Sequence, residues 1–159
     1  MRRRTVYLGM IAVLALTVAS SCGQKTIRLK GELPVARVEG KLLMNGEPMP
    51  DAEVFFHPVE AYPEGAAKVR PHATTDEDGS FQVTTYRLGD GAPVGDYRVT
   101  VSWKGALTSI PGDDDTRPER VPARYRDPRW SNLKAQVQKG NNSLPAWDLG
   151  ESAKQASAR

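Results

Sequence analysis

The amino-acid sequence predicts an all-β protein, a seven-stranded antiparallel β-sandwich. After residue 35, apolar and polar residues alternate with a period of two in several short runs, as in strands that bury one face. The chain has 14 glycines and 12 prolines among 159 residues, a surplus that fits many turns and little helix. The turns are irregularly spaced, which favours a sandwich over a closed barrel, and no repeat indicates a propeller or solenoid.

The first 22 residues have the plan of an export signal. Three arginines, Arg2–Arg4, precede an apolar run from Val6 to Ala19, which is shorter than the roughly 20 residues of a membrane-spanning helix. The following Ser20-Ser21-Cys22 completes a sequence that resembles the lipobox of bacterial lipoproteins, with Ala19 in place of the usual leucine. The resemblance implies a lipoprotein signal peptide over residues 1–21 and lipid attachment at Cys22. An ordinary cleaved signal or an uncut anchor is the alternative.

The charge of the chain belongs to this leader. Its three arginines account for the net charge of +3, since the remaining 19 basic residues are matched by 19 acidic ones. A near-neutral mature chain gives no indication of a nucleic-acid partner. With one cysteine, the chain cannot form an intrachain disulfide. The predicted partner is a membrane, through the lipid, and the absence of an aspartate at Gly23 favours the outer membrane.

In the first half of the domain, apolar and polar residues alternate in short runs on both sides of one predicted tight turn. Residues 22–35 are polar and predict a tether, and residues 36–149 form the predicted sandwich. The first strand covers residues 36–44, with Gly40 at a bend or close approach. Asn45-Gly46 then predicts a hairpin turn, because both residues tolerate positive φ. Further strands are predicted at 52–57 and 72–75.

The second half contains the clearest strands and the longest unpatterned segment. Asp78-Gly79 predicts a hairpin turn before a strand that buries Phe81, Val83 and Thr85. A strand at 95–103 follows. Residues 104–132 lack a period and predict either a functional loop or a disordered segment. Strands at 133–138 and 144–149 complete the domain, and residues 150–159 are a polar tail.

Three motifs resemble one known family. The stretch Val38–Phe56, then Thr75–Phe81 and Gly95–Val101, resembles in this order the strand motifs of carboxypeptidase regulatory-like domains, which have transthyretin-like sandwiches. Further segments resemble small lipoproteins of planctomycete bacteria: Thr85–Gly95, Val121–Pro128, Ser131–Leu133 and Gly140–Asn142. The resemblance implies a transthyretin-like fold and says little about activity.

Residues that suggest metal binding or catalysis lack the partners that such chemistry needs. Asp76, Asp78 and Gly79 begin like a calcium loop, but the twelfth position is Arg87 rather than glutamate, so a hairpin turn is favoured. The run at residues 113–115 is interpreted as a solvated acidic stretch. His57 and His72 are interpreted as structural or surface residues. No catalytic motif is present, and the terminal Tyr-Arg-Gly-Ser of transthyretin-related hydrolases is missing, so we expect no enzyme, metal or cofactor.

The aromatic residues divide into core and loop positions. Tyr97, Trp103 and Trp147 follow strand patterns and are expected in the core, with the Tyr97 hydroxyl bonded to the backbone. Arg124, Tyr125 and Trp130 lie in the long segment and are the candidate partner-binding residues, or they pin this segment to a sheet.

The sequence therefore favours a membrane-anchored cell-envelope lipoprotein. Its sandwich would be a non-catalytic module for structural, adhesion, protein-binding or glycan-binding roles. The alternative is a ligand- or ion-binding accessory module that serves another envelope enzyme. A well-formed pocket at the candidate residues would favour ligand binding, and a flat exposed sheet edge would favour protein assembly.

Overall fold

The computed structural model describes residues 29–105 and 118–150. Within these ranges the chain is all-β, without an α-helix and with one 3-10 turn at Ala123–Tyr125. The strands are β1 Val35–Ala36, β2 Val38–Met44, β3 Glu47–Pro48, β4 Glu53–Pro58, β5 His72–Thr74, β6 Ser80–Gln82, β7 Ala92–Pro93, β8 Gly95–Ser102, β9 Lys134–Val137, β10 Asn142–Ser143 and β11 Trp147–Asp148. The predicted count of seven is not confirmed, because the described strands are shorter and more numerous.

The first sheet has four antiparallel strands in the order β5-β4-β8-β9. Its central pair, β4 and β8, is in register from Glu53 opposite Ser102 to Pro58 opposite Tyr97. The polar and apolar alternation of β8 places Tyr97, Val99 and Val101 on the buried face. The period-2 pattern of the sequence thus predicts this face correctly.

The second sheet is built around β2. Strands β3 and β6 pair with it antiparallel, while β10 and β11 pair with it parallel on the other side. The expectation of purely antiparallel pairing is wrong for these two strands. The chain leaves the edge strand β9, turns at residues 138–141 and crosses to the second sheet, where it runs in the direction of β2.

The core lies between these two larger sheets, consistent with a β-sandwich, while β1 and β7 pair antiparallel in a third, two-stranded sheet. Phe56 of the first sheet meets Phe81 of the second with ring centroids 6.5 Å apart, and Tyr97 packs edge-on against Phe56 at 5.9 Å. The Tyr97 hydroxyl donates to the Pro93 carbonyl at 2.7 Å, which confirms the expected backbone bond. Trp147 stacks on Phe81 at 6.1 Å and is only partly buried.

Asn45-Gly46 forms the expected tight turn, with positive φ at both residues, between β2 and β3. The Asp148 carboxylate accepts hydrogen bonds from both turn amides, at 2.8 Å from Asn45 and 2.9 Å from Gly46. The turn is therefore linked to β11, near the end of the described chain.

The Asp78-Gly79 turn is present, but it does not join the two strands of one ladder. Gly79 has a φ of 79°, and its amide donates to the Asp76 carbonyl at 2.9 Å. Strand β5 before it belongs to the first sheet and β6 after it to the second. The turn is an arch between sheets, and the bridge between His72 and Thr84 connects the two layers beyond it.

Several expectations fall outside the described residues. The signal peptide, Cys22 and the polar tail after residue 150 are among them, as are residues 106–117 of the long segment. Among the described residues, no helix has the length and apolar character needed to cross a membrane.

Candidate partner-binding surface

The later part of the long segment, residues 118–132, lies across the outer face of the first sheet. Glu119 fixes its beginning, because its carboxylate accepts hydrogen bonds from Ser102 Oγ at 2.7 Å, from the Trp103 amide at 2.8 Å and from the Val121 amide at 3.0 Å. Burial by itself would raise the pKa of Glu119, but these bonds outweigh it and hold the pKa below its ordinary value. The carboxylate is therefore charged at neutral pH and acts as a clamp.

Ser131 fixes the other end. Its hydroxyl donates to the Val99 carbonyl and accepts the Leu133 amide at 3.2 Å, and the side chain is 1% exposed. Because Ser131 and Glu119 both contact β8, the segment between them is held at its two ends. Thr100, on the outer face of β8, is buried as a result.

The structure brings two of the three predicted binding residues together and separates the third. Tyr125 is 4% exposed, and the Arg124 guanidinium lies 4.6 Å from its ring centroid, with a hydrogen bond of 3.3 Å to its hydroxyl. Tyr125 thus packs the segment onto the sheet. Trp130 is 71% exposed and does not contribute to this packing.

A turn at Asp127 presents Trp130 to solvent. The Asp127 carbonyl accepts the amides of Trp130 at 3.0 Å and of Ser131 at 2.9 Å. Its carboxylate accepts the Arg129 amide at 2.8 Å and pairs with the Arg129 guanidinium at 2.6 Å. The hydrogen bonds from Arg129 lower the pKa of Asp127 to about 2. Trp130 is therefore an exposed aromatic residue on an ordered support.

A shallow groove of about 510 Å³ lies beside this turn. His57, Pro58, Val59, Arg98, Pro128 and Arg129 line it. His57 Nε2 is 2.8 Å from Thr100 Oγ1, and burial, assisted by the nearby charge of Arg70 and opposed by Asp127, lowers its pKa below the ordinary 6.5. His57 is thus neutral at pH 7, and the arginines supply the positive charge of the groove.

Sequence reasoning missed Glu119, Arg98 and the contact between His57 and Thr100. The alternation of β8 assigns Arg98 and Thr100 to its polar face, but it cannot show that a distant segment covers that face. No local pattern marks Glu119 either, since its partners Ser102 and Trp103 lie across the unpatterned segment. These contacts depend on where residues 118–132 return to the sheet.

The calcium-like turn and the histidines form no metal centre in the described part of the chain. No group of three His, Cys, Asp or Glu side chains converges there. Asp78 instead accepts bonds from the Ser80 hydroxyl at 2.6 Å and the Ser80 amide at 2.9 Å, which lower its pKa to about 2. Residues 113–115 lie outside the described residues.

No protein-family model and no curated protein matches the chain. Among solved structures, it is similar to a DUF3823 family protein from Parabacteroides merdae (10% identity, TM-score 0.35, covering 71% of this chain and 45% of that one). It is also similar to a 9R-lipoxygenase from Cyanothece (16%, 0.37, 72% and 16%) and to the major pilin subunit BcpA of Bacillus cereus (14%, 0.35, 70% and 28%). The chain spans less than half the length of each. TM-scores this low carry no argument about function.

Proposed function

We propose that the chain is a cell-envelope lipoprotein whose β-sandwich is a non-catalytic binding module of the carboxypeptidase regulatory-like type. The anchor is Cys22, supported by the export signal and the lipobox-like Ala19-Ser20-Ser21 before it. Several acyl chains make a durable attachment without a transmembrane helix, since each buried methylene contributes about 0.8 kcal/mol. The outer membrane is the proposed location.

The binding surface is the turn that carries Trp130, together with the groove beside it. The observation that carries this proposal is the 71% exposure of Trp130 on a turn fixed by Asp127 and Ser131. A large aromatic side chain in water gains little for folding, whereas exposed aromatic residues are enriched where proteins bind partners. Because its support is already ordered, little conformational entropy is lost on binding.

The open edge of the first sheet is a weaker candidate for assembly. The edge strand β9 has four residues, Lys134–Val137, and carries Lys134 on its exposed face. Short edge strands with lysine discourage pairing with another chain. This geometry favours a side-chain surface over strand addition as the binding mode.

The surface is tested by binding to insoluble envelope material. Detergent-solubilised full-length protein is incubated with this material, and the bound fraction is measured for wild type and Trp130→Ala. We expect the apparent affinity to fall about fivefold to tenfold, the loss that corresponds to roughly 1–1.4 kcal/mol of contact energy.

Leu88→Ala is the matched control, because Leu88 is a large apolar residue that is 97% exposed and lies outside the candidate surface. It should bind like wild type. Equal binding by wild type and Trp130→Ala, with unchanged thermal unfolding, would show that this surface is not the binding site.

A further inference from the structure

The groove beside Trp130 carries an excess of positive charge. Arg98 and Arg129 line it, and Arg70 is close enough to His57 to lower the pKa of that histidine. Among the described residues no carboxylate lines the groove, and that of Asp127, next in the chain to Pro128, is paired with Arg129. Since His57 is neutral, the groove has more cationic than anionic groups.

Of the two arginines that line the groove, Arg98 is the one available to a partner. Its guanidinium makes one long hydrogen bond, 3.4 Å from Nη1 to the Ser131 carbonyl, and it pairs with no carboxylate among the described residues. A guanidinium has five N–H donors, so most of those of Arg98 are free. Its planar fork matches a carboxylate, sulfate or phosphate in a two-point contact.

Trp130 does not line the groove, but it lies between Arg129, which lines it, and Ser131, whose carbonyl accepts the hydrogen bond from Arg98. It follows Arg129 directly and is the exposed large aromatic side chain of the described residues. Pro128 and the exposed Val59 add apolar surface to the groove wall. An indole ring presents a flat apolar face with one N–H donor at its edge, which suits the face of a sugar ring.

We propose that this surface binds an acidic polysaccharide, with a carboxylate or sulfate of the glycan on Arg98 and a sugar ring on Trp130. The inference rests on the proposed function and specifies its partner class. Charge complementarity to the free guanidinium selects an anionic chain over a neutral one. An extended glycan also fits a shallow, open groove on an ordered surface.

The test measures binding of the detergent-solubilised full-length protein to immobilised polygalacturonate, heparin and neutral dextran. We expect binding to the two acidic polymers, weakened by added salt because the contact with Arg98 is exposed, and no binding to dextran. Polygalacturonate and heparin distinguish carboxylate from sulfate as the preferred group, and binding to either supports the proposal.

Arg98→Gln should lower the affinity for the acidic polymer about fivefold to tenfold, and Arg98→Lys should recover only part of this loss, because an ammonium keeps the charge but not the two-point contact. Arg37→Gln, a change of an arginine on the loop between β1 and β2, is the matched control and should bind like wild type. Thermal unfolding of each variant shows whether the sandwich is intact.

The outcomes separate the two proposals. Three results would overturn the acidic-glycan inference. The protein could bind dextran as well as it binds the acidic polymers, it could bind neither polygalacturonate nor heparin, or its binding could be the same in Arg98→Gln as in wild type. The binding surface itself would still stand if envelope material is bound in a manner that depends on Trp130. If that dependence is absent as well, the proposed function also fails.

Discussion

At the residue scale, buried hydroxyl groups join segments that the strand ladders do not. Thr75 Oγ1 accepts the Ala52 amide at 2.8 Å and donates to the Met49 carbonyl, and Ser131 acts similarly at the outer face. Each satisfies backbone groups that would otherwise be buried without a partner. Leaving such a group unpaired costs about 1–3 kcal/mol. Substitution of such a residue by alanine is therefore expected to weaken the attachment of the neighbouring loop more than the packing of the core.

His57 makes the stability of the fold dependent on pH. Burial lowers its folded-state pKa below 6.5, so the unfolded state binds more protons as the pH falls through 6.5. The contribution of His57 to stability is therefore complete above this value and is lost progressively below it. We expect the urea concentration at the midpoint of unfolding to decrease when the pH is lowered from about 7.5 to about 5.5, and to decrease less in His57→Gln.

His72→Gln, at the exposed histidine of β5, is the control for this measurement. It removes a histidine from the same sheet and leaves position 57 unchanged. If His57→Gln loses as much stability over the same interval as wild type does, then protonation of His57 is not the cause.

At the scale of elements, the close approach of β2 to β6 depends on a missing side chain. A Cβ atom at Gly40 would lie 2.5 Å from the Phe81 ring, closer than carbon atoms can pack. Gly40 thus lets the ring of Phe81 lie over β2 and reach Phe56 in the facing sheet. The ring contact between Phe81 and Phe56 across the two sheets depends on this pair.

Gly40→Ala should destabilise the domain by about 1–3 kcal/mol, because the Phe81 ring must move out of a well-packed core. Phe81→Leu provides space for the new methyl group, so the cost of Gly40→Ala should be smaller in that background. A double-mutant cycle measured by urea unfolding should give a coupling energy of about 1 kcal/mol. Additive effects would show that the ring does not restrict position 40.

Elements that are determined by neighbouring residues could be predicted from the sequence. Elements that depend on contacts between residues far apart in the chain could not. Tyr97, Val99 and Val101 follow the period of a half-buried strand, and Asn45-Gly46 has the residues of a primed turn. The parallel pairing of β10 and β11 is set by where the chain crosses between sheets. Likewise, Ser131 and Val99 are 32 positions apart, and no short-range pattern relates them.

The same division applies to the candidate site. The sequence places Arg124, Tyr125 and Trp130 in one loop, and all three are residue types that are enriched in binding surfaces. Only their burial distinguishes them, and burial depends on how the segment returns to the sheet. Tyr125 packs inward and Trp130 does not, so the candidate surface narrows to Trp130 and its neighbours in the groove.

At the scale of the whole molecule, the proposed anchor limits where the surface can act. Twelve residues lie between Cys22 and Val35, the first residue of β1, so the chain covers thirteen residue-to-residue steps. At roughly 3.3–3.6 Å per residue, a fully extended tether spans at most about 45 Å. We therefore expect the module to meet its partner close to the membrane.

Intact mass together with detergent partitioning shows whether Cys22 attaches this sandwich to a membrane. The protein is isolated from membranes beside Cys22→Ser. We expect that wild type starts at Cys22, carries acyl mass and partitions into detergent, whereas the variant carries no acyl group and loses detergent partitioning. A bare cysteine in wild type, with equal partitioning of the two proteins, would contradict it.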